Sequence, residues 1–384
     1  MQTRKLFYED CHRKTFIAQV LCCTQTQKGY EVVLDATAFY PEGGGQACDL
    51  GALGNVKVLD VRERGEEIIH LCDGPLTVGE QVEGVIDWDR RFDLMQQHTG
   101  EHILSGLIHA KFGYHNVGFH VGKQAMEVDF SGPISPEELV ELEAKANEAI
   151  WKNLTVKCWY PSQEELPGVI YRSKRELPWP VRIVQVPGFD SCACCGVHVA
   201  QTGEVGMIKI LSGMKFHDGI RIEMLCGRRA YEFMAQVYDQ NRQVSQAFSA
   251  KILQTGEAAK RMNEQLNAEK FRAAALEKRV FAGIASGYAG KGDVLHFEEG
   301  LASNGVRELA DAIAEGCGGI AAVFSGTDET GYNMCLIGKG LDVKPLGTEL
   351  NKALNGRGGG KPGSFQGSVK ASREEIEAFF RDRG

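Results

Sequence analysis

Residues 98–102 read His98-Thr99-Gly100-Glu101-His102, and a pair at the same spacing, Cys194 and His198, recurs inside Asp190-Ser191-Cys192-Ala193-Cys194-Cys195-Gly196-Val197-His198. On a helix, residues i and i+4 project from one face, so both imidazoles of the first pair can reach a single ion. A thiolate combined with imidazoles favours zinc held tetrahedrally. The second pair spans Gly196, which points to a turn, so a helix pair facing a loop pair is predicted. Spacing alone leaves the thiolate open among Cys192, Cys194 and Cys195, because Cys192-Ala193-Cys194-Cys195 also fits C-x-x-C. Four protein ligands fill a zinc in the structural pattern. Hydrolysis there requires an expanded or exchanged coordination position, or a metal that only orders its surroundings.

Working outward, the helix that carries the first pair is predicted over 90–112, with Asp89 as candidate cap and Leu94, Ile103, Leu104, Leu107 and Ile108 as its buried stripe. Before it, short alternating runs at 15–23, 30–34, 56–61, 68–72 and 81–86 predict a small β-barrel-like domain over 1–88. After it, Ser135-Pro136-Glu137-Glu138 combines a capping serine, proline at the first helical position and glutamate three residues past the cap. A helix to about residue 151 follows, then strands near 181–186, 207–211 and 220–225. Residues 89–229 thus form an α+β zinc-bearing domain. Over 230–284 proline vanishes and Met262, Leu266, Ala273, Leu276 and Val280 fall near heptad positions. A helical hairpin or coiled-coil arm with a break at Thr255-Gly256 is predicted. From 285 to 384, glycine-rich turns alternate with apolar runs at 320–324 and 333–337 and a helical pattern at 306–314, an α/β domain. The fold class is α+β, multidomain.

The 384 residues suffice for several cores, and 43% hydrophobic with 24% charged residues is ordinary for a globular chain. Twelve cysteines scattered over such a length, with neither a secretory nor a transit pattern in the first 23 residues, predict reduced thiols and a cytoplasmic location. A net charge of −8 argues against indiscriminate nucleic-acid coating, yet Lys339, Lys344, Lys352, Arg357, Lys361 and Lys370 face only Asp342 and Glu349 in their stretch.

Two glycine-rich segments add candidates. Phe39-Tyr40-Pro41-Glu42-Gly43-Gly44-Gly45-Gln46 suggests backbone approaching a ligand at Gly44 and Gly45, with Gln46 and Asp49 as polar contacts. Arg357-Gly358-Gly359-Gly360-Lys361-Pro362-Gly363-Ser364-Phe365-Gln366-Gly367 is not a Walker A loop, since Asn355 and Pro362 stand where glycine and Ser/Thr are required. Its exposed amides, Arg357, Lys361 and Phe365 could still meet RNA phosphate and a base face. A rival reading takes residues 98–102 as the inverted zinc-peptidase motif H-x-x-E-H with Glu101 as general base. That motif leaves Cys194 and His198 unexplained.

Taken in order, Thr37, Phe39-Tyr40-Pro41, Gly43-Gly44-Gly45-Gln46, the two ligand pairs, Gly219-Ile220-Arg221-Ile222-Glu223 and the glycine-rich tail resemble the free-standing alanyl-tRNA editing proteins of the AlaX family, long form. Those are similar to the editing and C-terminal parts of alanyl-tRNA synthetase. The resemblance implies hydrolysis of serine, and of glycine, from mischarged tRNA(Ala), acting in trans because some ninety residues before the metal helix leave no room for an ATP-using domain. It implies zinc on His98, His102, Cys194 and His198, with Glu101 or Gln46 handling the hydrolytic water. Thr37 would read the seryl hydroxyl, a discrimination that hydrogen bonding achieves well. Cys195 and Val197 depart from the Cys-Gly-Gly-Thr-His pattern of the synthetases, removing one hydroxyl near the site. Arg221, Arg357, Lys361 and Phe365 would contact tRNA, and the C-terminal region would grip the tRNA body or form a homodimer. A tRNA-binding protein with a purely structural zinc is the remaining alternative.

Overall fold

Alternation decides the N-terminal segment. Thr15–Thr26 opens on an exposed-then-buried rhythm that turns Phe16, Ala18 and Val20 inward, the period of a half-buried strand. In the computed structural model, which describes residues 2–122, 124–173 and 177–382, this strand pairs with Gly29–Leu34 on one side and Gln81–Ile86 on the other. Glu67–Cys72, Val56–Arg64 and Gly51–Leu53 complete a closed ring of six strands. Closure leaves no unpaired edge, and Leu34, Leu53, Val61 and Ile68 are fully buried inside it. Gly51–Leu53 carries no sequence signal because three residues are too few to express a period. The first strand outruns its expected end at 23 because the polar residues Thr24–Thr26 still pair across the hairpin with Gly29–Glu31.

The helix Trp88–Phe112 follows at once. Its cap is Asp87, whose carboxylate accepts the Arg90 backbone N–H at 3.2 Å, and not the expected Asp89, which lies in the first turn where an acid still favours the helix dipole. Beside it runs a sheet in the order Ile208–Phe216, Gly219–Cys226, Met126–Phe130, Asn116–Val121. The helix Pro136–Trp151 begins with the expected capping box: Ser135 Oγ accepts the Glu138 N–H and the Glu138 carboxylate accepts the Ser135 N–H. Ile103, Leu104 and Ile108 share one core with Leu142, Ala146, Val128 and Ile222. A separate three-stranded sheet of Lys157–Trp159, Ile183–Val186 and Asp190–Ala193 delivers the second motif, since Cys194 follows its last strand directly.

Two compact units divide the chain, Met1–Gln243 and Val244–Gly384. The division falls inside the helix Gly227–Ala247, so the stretch expected as one arm is shared between units. The break precedes the expected position: Thr255 opens the next helix, Thr255–Ser286, and Ser249 before it takes a left-handed φ of 49°.

In the second unit five strands run in the order Gly292–Glu298, Gly318–Thr327, Gly331–Gly338, Ser364–Val369, Arg357–Lys361. The first two are parallel, and the helix Ser303–Cys317 supplies the crossover that parallel pairing needs. Alternation along Gly318–Thr327 feeds two cores: Ala321 and Val323 join Phe281 and Leu309 on one face, while Ala322 and Phe324 join Leu350 and Phe365 on the other. Among the described residues no helix is long and apolar enough to cross a membrane.

Candidate metal centre

Every residue from Leu94 to Gly106 is buried, although Gln96, Gln97, His98, Thr99, Glu101, His102 and Ser105 are polar. Buried polar groups cost free energy unless paired, and here each finds a partner outside or along the helix. Gln96 Nε2 donates to Glu204 O at 2.8 Å, and Gln97 exchanges two hydrogen bonds with the Cys226 backbone. The His98, His102 and His198 rings are each held through Nδ1. His98 Nδ1 donates to Gln46 Oε1 at 2.9 Å, and His102 Nδ1 donates to Asp190 Oδ2 at 3.0 Å. His198 Nδ1 lies 3.2 Å from Thr99 Oγ1, which also accepts the Val199 N–H. Each Nε2 is thereby left for the interior.

Ligand atoms of His98, His102, Cys194 and His198 all lie within 4.8 Å of one another, the three histidines buried and Cys194 half-buried at the start of its loop. Cys194 Sγ stands 3.4 Å from His98 Nε2, and His198 Nε2 is buried with no partner among the described residues. An orphaned buried nitrogen facing a thiol and two further imidazoles is what a soft divalent cation would satisfy, so the residues fit a metal. Cys192 groups instead with His102 and Asp190, and Cys195 is exposed. Burial opposes the Cys194 thiolate, but His98 and His102 outweigh it and hold the thiol well below its ordinary range. Asp190 is likewise desolvated, yet His102 and Arg172 keep its carboxyl low, Arg172 through two bonds of 2.7 and 2.9 Å. Carboxylate partners of this kind orient metal-binding histidines.

The loop bearing Cys194 is tied down by Arg182, whose Nη1 donates to Cys194 O and Gly196 O at 3.0 and 2.8 Å, and by the Tyr8 hydroxyl, which donates to Cys195 O at 2.6 Å. Gly44 and Gly45 form a turn against this loop: a Cβ at Gly44 would stand 3.2 Å from Cys195 Sγ, and one at Gly45 only 2.5 Å from Phe119, whose ring stacks on His98. Glu101 is buried. Its Oε1 accepts from Ser105 and Asn116, and its Oε2 lies 4.0 Å from His102 Nε2.

Other candidates fall elsewhere. Gln46 Oε1 is committed to His98 and the Val197 N–H, so Gln46 orients a ring and only its Nε2, without a partner among the described residues, remains available. Asp49 is corrected from ligand contact to brace: fully buried, it pairs with Arg91 and accepts the Tyr40 N–H. Thr37 is fully buried in a short strand paired with Arg4–Lys5, against the barrel residue His70. His70 Nδ1 donates to Val32 O, so its Nε2 accepts the Thr37 hydroxyl proton at 2.8 Å, while Thr37 Oγ1 accepts the Phe39 N–H. Arg221 makes two hydrogen bonds to Asp129 and a second ion pair with Glu127. Arg357 and Lys361 are exposed on an edge strand. Phe365 is corrected: at 2% exposure in a core it cannot stack on a base. The segment expected as a loop is a hairpin in which Arg357–Lys361 pairs along one side with Ser364–Val369. Sequence reading missed Asp190, Arg172, Thr99, Arg182 and Asn116; only Thr99 and Asp190 lie inside the quoted motifs, and neither has a ligand-like spacing.

The family model for tRNA synthetases class II (A) matches residues 2–90, and that for the threonyl and alanyl tRNA synthetase second additional domain matches 181–223. The alanyl-tRNA editing protein Aarsd1 of Danio rerio is 28% identical, over 97% of this chain and 96% of its own; that of Mus musculus is 29% identical, over 98% and 97%. The alanine–tRNA ligase of Ignicoccus hospitalis is 36% identical over 64% of this chain, which spans only 28% of that enzyme. The C-Ala domain from Aquifex aeolicus alanyl-tRNA synthetase aligns with 23% of this chain and 86% of its own, at 22% identity and a TM-score of 0.21.

Proposed function

The chain belongs to the alanyl-tRNA editing family, and on that footing we propose that it is a cytoplasmic, trans-acting ester hydrolase that removes serine, and glycine, from mischarged tRNA(Ala). One observation carries the reading: three imidazoles and the Cys194 thiol converge within 4.8 Å beside the buried carboxylate of Glu101. We assign zinc to this cluster, held by His98, His102, Cys194 and His198; when bound it supplies a Lewis acid for ester hydrolysis.

The chain's own groups do the rest. Glu101 Oε2 orients the attacking water, accepts its proton as the water oxygen bonds to the ester carbon, and returns that proton to the ribose oxygen as the ester C–O bond breaks. Gln46 and Asp190 act through His98 and His102. The backbone at Gly44 and Gly45 approaches the substrate's 3′ end. Thr37 keeps a role in reading the seryl hydroxyl only if the substrate reaches past its full burial to the one lone pair left after its hydroxyl donates to His70 and accepts the Phe39 N–H; an alanyl ester has no hydroxyl to offer it. Arg221 keeps a tRNA role only by exchanging acidic partners for phosphate, whereas Arg357 and Lys361 are exposed for it. Residues 230–384 grip the tRNA body or pair two copies. Support for pairing comes from Met262, Leu266, Leu276 and Val280, all exposed on Thr255–Ser286.

The test is deacylation of Ser-, Gly- and Ala-tRNA(Ala) by the metal-loaded chain, with His102→Ala and Cys194→Ala alongside. Release of serine and glycine with alanine spared, and loss of about 100-fold or more in both variants, is expected. Full activity in the variants would refute the metal assignment.

A further inference from the structure

We propose that Asn116 and Ser105 are positioning residues that clamp one oxygen of Glu101, so that the other faces the four-ligand cluster. The proposal rests on the editing reading above. Glu101 Oε1 accepts the Ser105 hydroxyl proton and an Asn116 Nδ2 proton, each at 2.5 Å, and Asn116 Nδ2 also reaches Ser105 Oγ at 3.4 Å. Ser105 stands one turn beyond Glu101 on the same helical face. Oε2 accepts no hydrogen bond among the described residues and lies 4.0 Å from His102 Nε2. A carboxylate held by one oxygen offers the other in a single direction, which is the preorganisation a proton acceptor needs.

Asn116 arrives there through an irregularity in its strand. In Asn116–Val121, Phe119 and Val121 pack on the core while His120 is exposed, so simple alternation would turn Val117 inward. The register against Met126–Phe130 shifts instead: Asp129 faces Gly118, and Phe130 faces Asn116. Val117 is the extra residue, 63% exposed, and Asn116 takes the inward place at 6%. β-Bulges re-aim side chains beside active sites in this way. Packing alone does not account for the choice of residue, because Asn116 Oδ1 is buried without a partner among the described residues. An apolar side chain there would avoid that cost.

Steady-state deacylation of Ser-tRNA(Ala) by the full chain, with bound metal quantified, tests the clamp in Asn116→Ala, Ser105→Ala, Ser105→Thr, Glu101→Gln and the Asn116→Ala/Glu101→Gln pair. Expected is a fall in kcat of about 10- to 100-fold in Asn116→Ala and Ser105→Ala, with KM and metal content within about two-fold. Ser105→Thr keeps the hydroxyl and stays within a few-fold of wild type. In the Glu101→Gln background, Asn116→Ala costs less than about two-fold, because the group it positions is already lost. Wild-type turnover with kcat undiminished in Asn116→Ala, or the same loss in both backgrounds, overturns the clamp alone. If Asn116→Ala does not fold, an undiminished kcat in Ser105→Ala overturns it equally. A wild-type chain that leaves Ser-tRNA(Ala) intact, or Glu101→Gln as fast as wild type, overturns the editing role of this site and the clamp with it.

Discussion

Glycine lets structure come close in both units, but to different neighbours. In the first, Gly196 brings a loop against a buried imidazole: a Cβ there would stand 2.2 Å from His98 Cε1. In the second, Gly360 brings two strands of backbone together, where a Cβ would meet Ser364 O at 2.0 Å. Similar local composition thus serves a donor cluster in one place and a β-ladder in the other. What differs is the partner, and the partner lies 98 residues away at His98 in one case and in the adjoining hairpin strand in the other.

The largest effect is expected for Gly196→Ala. It should lower metal affinity by about 10- to 100-fold or more by displacing His98, read as metal per chain after dialysis, while Gly360→Ala leaves that ratio untouched; equal occupancy in both variants removes the distinction. Next comes Phe365→Ala. Loss of a buried ring should cost the second unit about 3–5 kcal/mol in denaturant unfolding, with tRNA affinity of the folded variant unchanged, whereas a base-stacking role would give the opposite pattern.

A third test uses a buried polar group that serves the barrel. Burial pushes His70 down to about 4, against about 6.5 for a free histidine. The unfolded chain therefore binds a proton first as pH falls. The stability is complete above pH 6.5, declines through the window and is lost by about pH 4, a total of about 3 kcal/mol at about 1.4 kcal/mol per pH unit. His70→Asn should lose this share of the acid slope in unfolding titrations; an unaltered slope rejects it. The smallest effect is expected on the exposed strand: Arg357→Ala with Lys361→Ala should weaken tRNA binding a few-fold and reduce the salt slope by about 1 per lost phosphate contact. No change in slope would leave the hairpin without a phosphate role.

Much of the fold is legible because its signals are local. Alternation marks five of the six barrel strands, and Ser135-Pro136-Glu137-Glu138 marks a helix start in four residues. Legibility fails where the signal is too short, as at Gly51–Leu53, or where two acids compete for one cap, as at Asp87 and Asp89. In the site, His98 and His102 are legible for the same reason: one helical turn dictates that they share a face.

The His98/His102 and Cys194/His198 pairs, the barrel's alternation and the helix that follows it were readable from the chain alone, since each depends on residues within a turn or a strand of one another. Tertiary structure alone decided that Cys194 and not Cys192 meets three imidazoles, that Asp49 pairs with Arg91, that Phe365 is core and that Asn116 reaches Glu101. Those outcomes hang on strand register, a single bulge and packing between distant segments, and a one-residue shift in any of them turns a side chain to the opposite face.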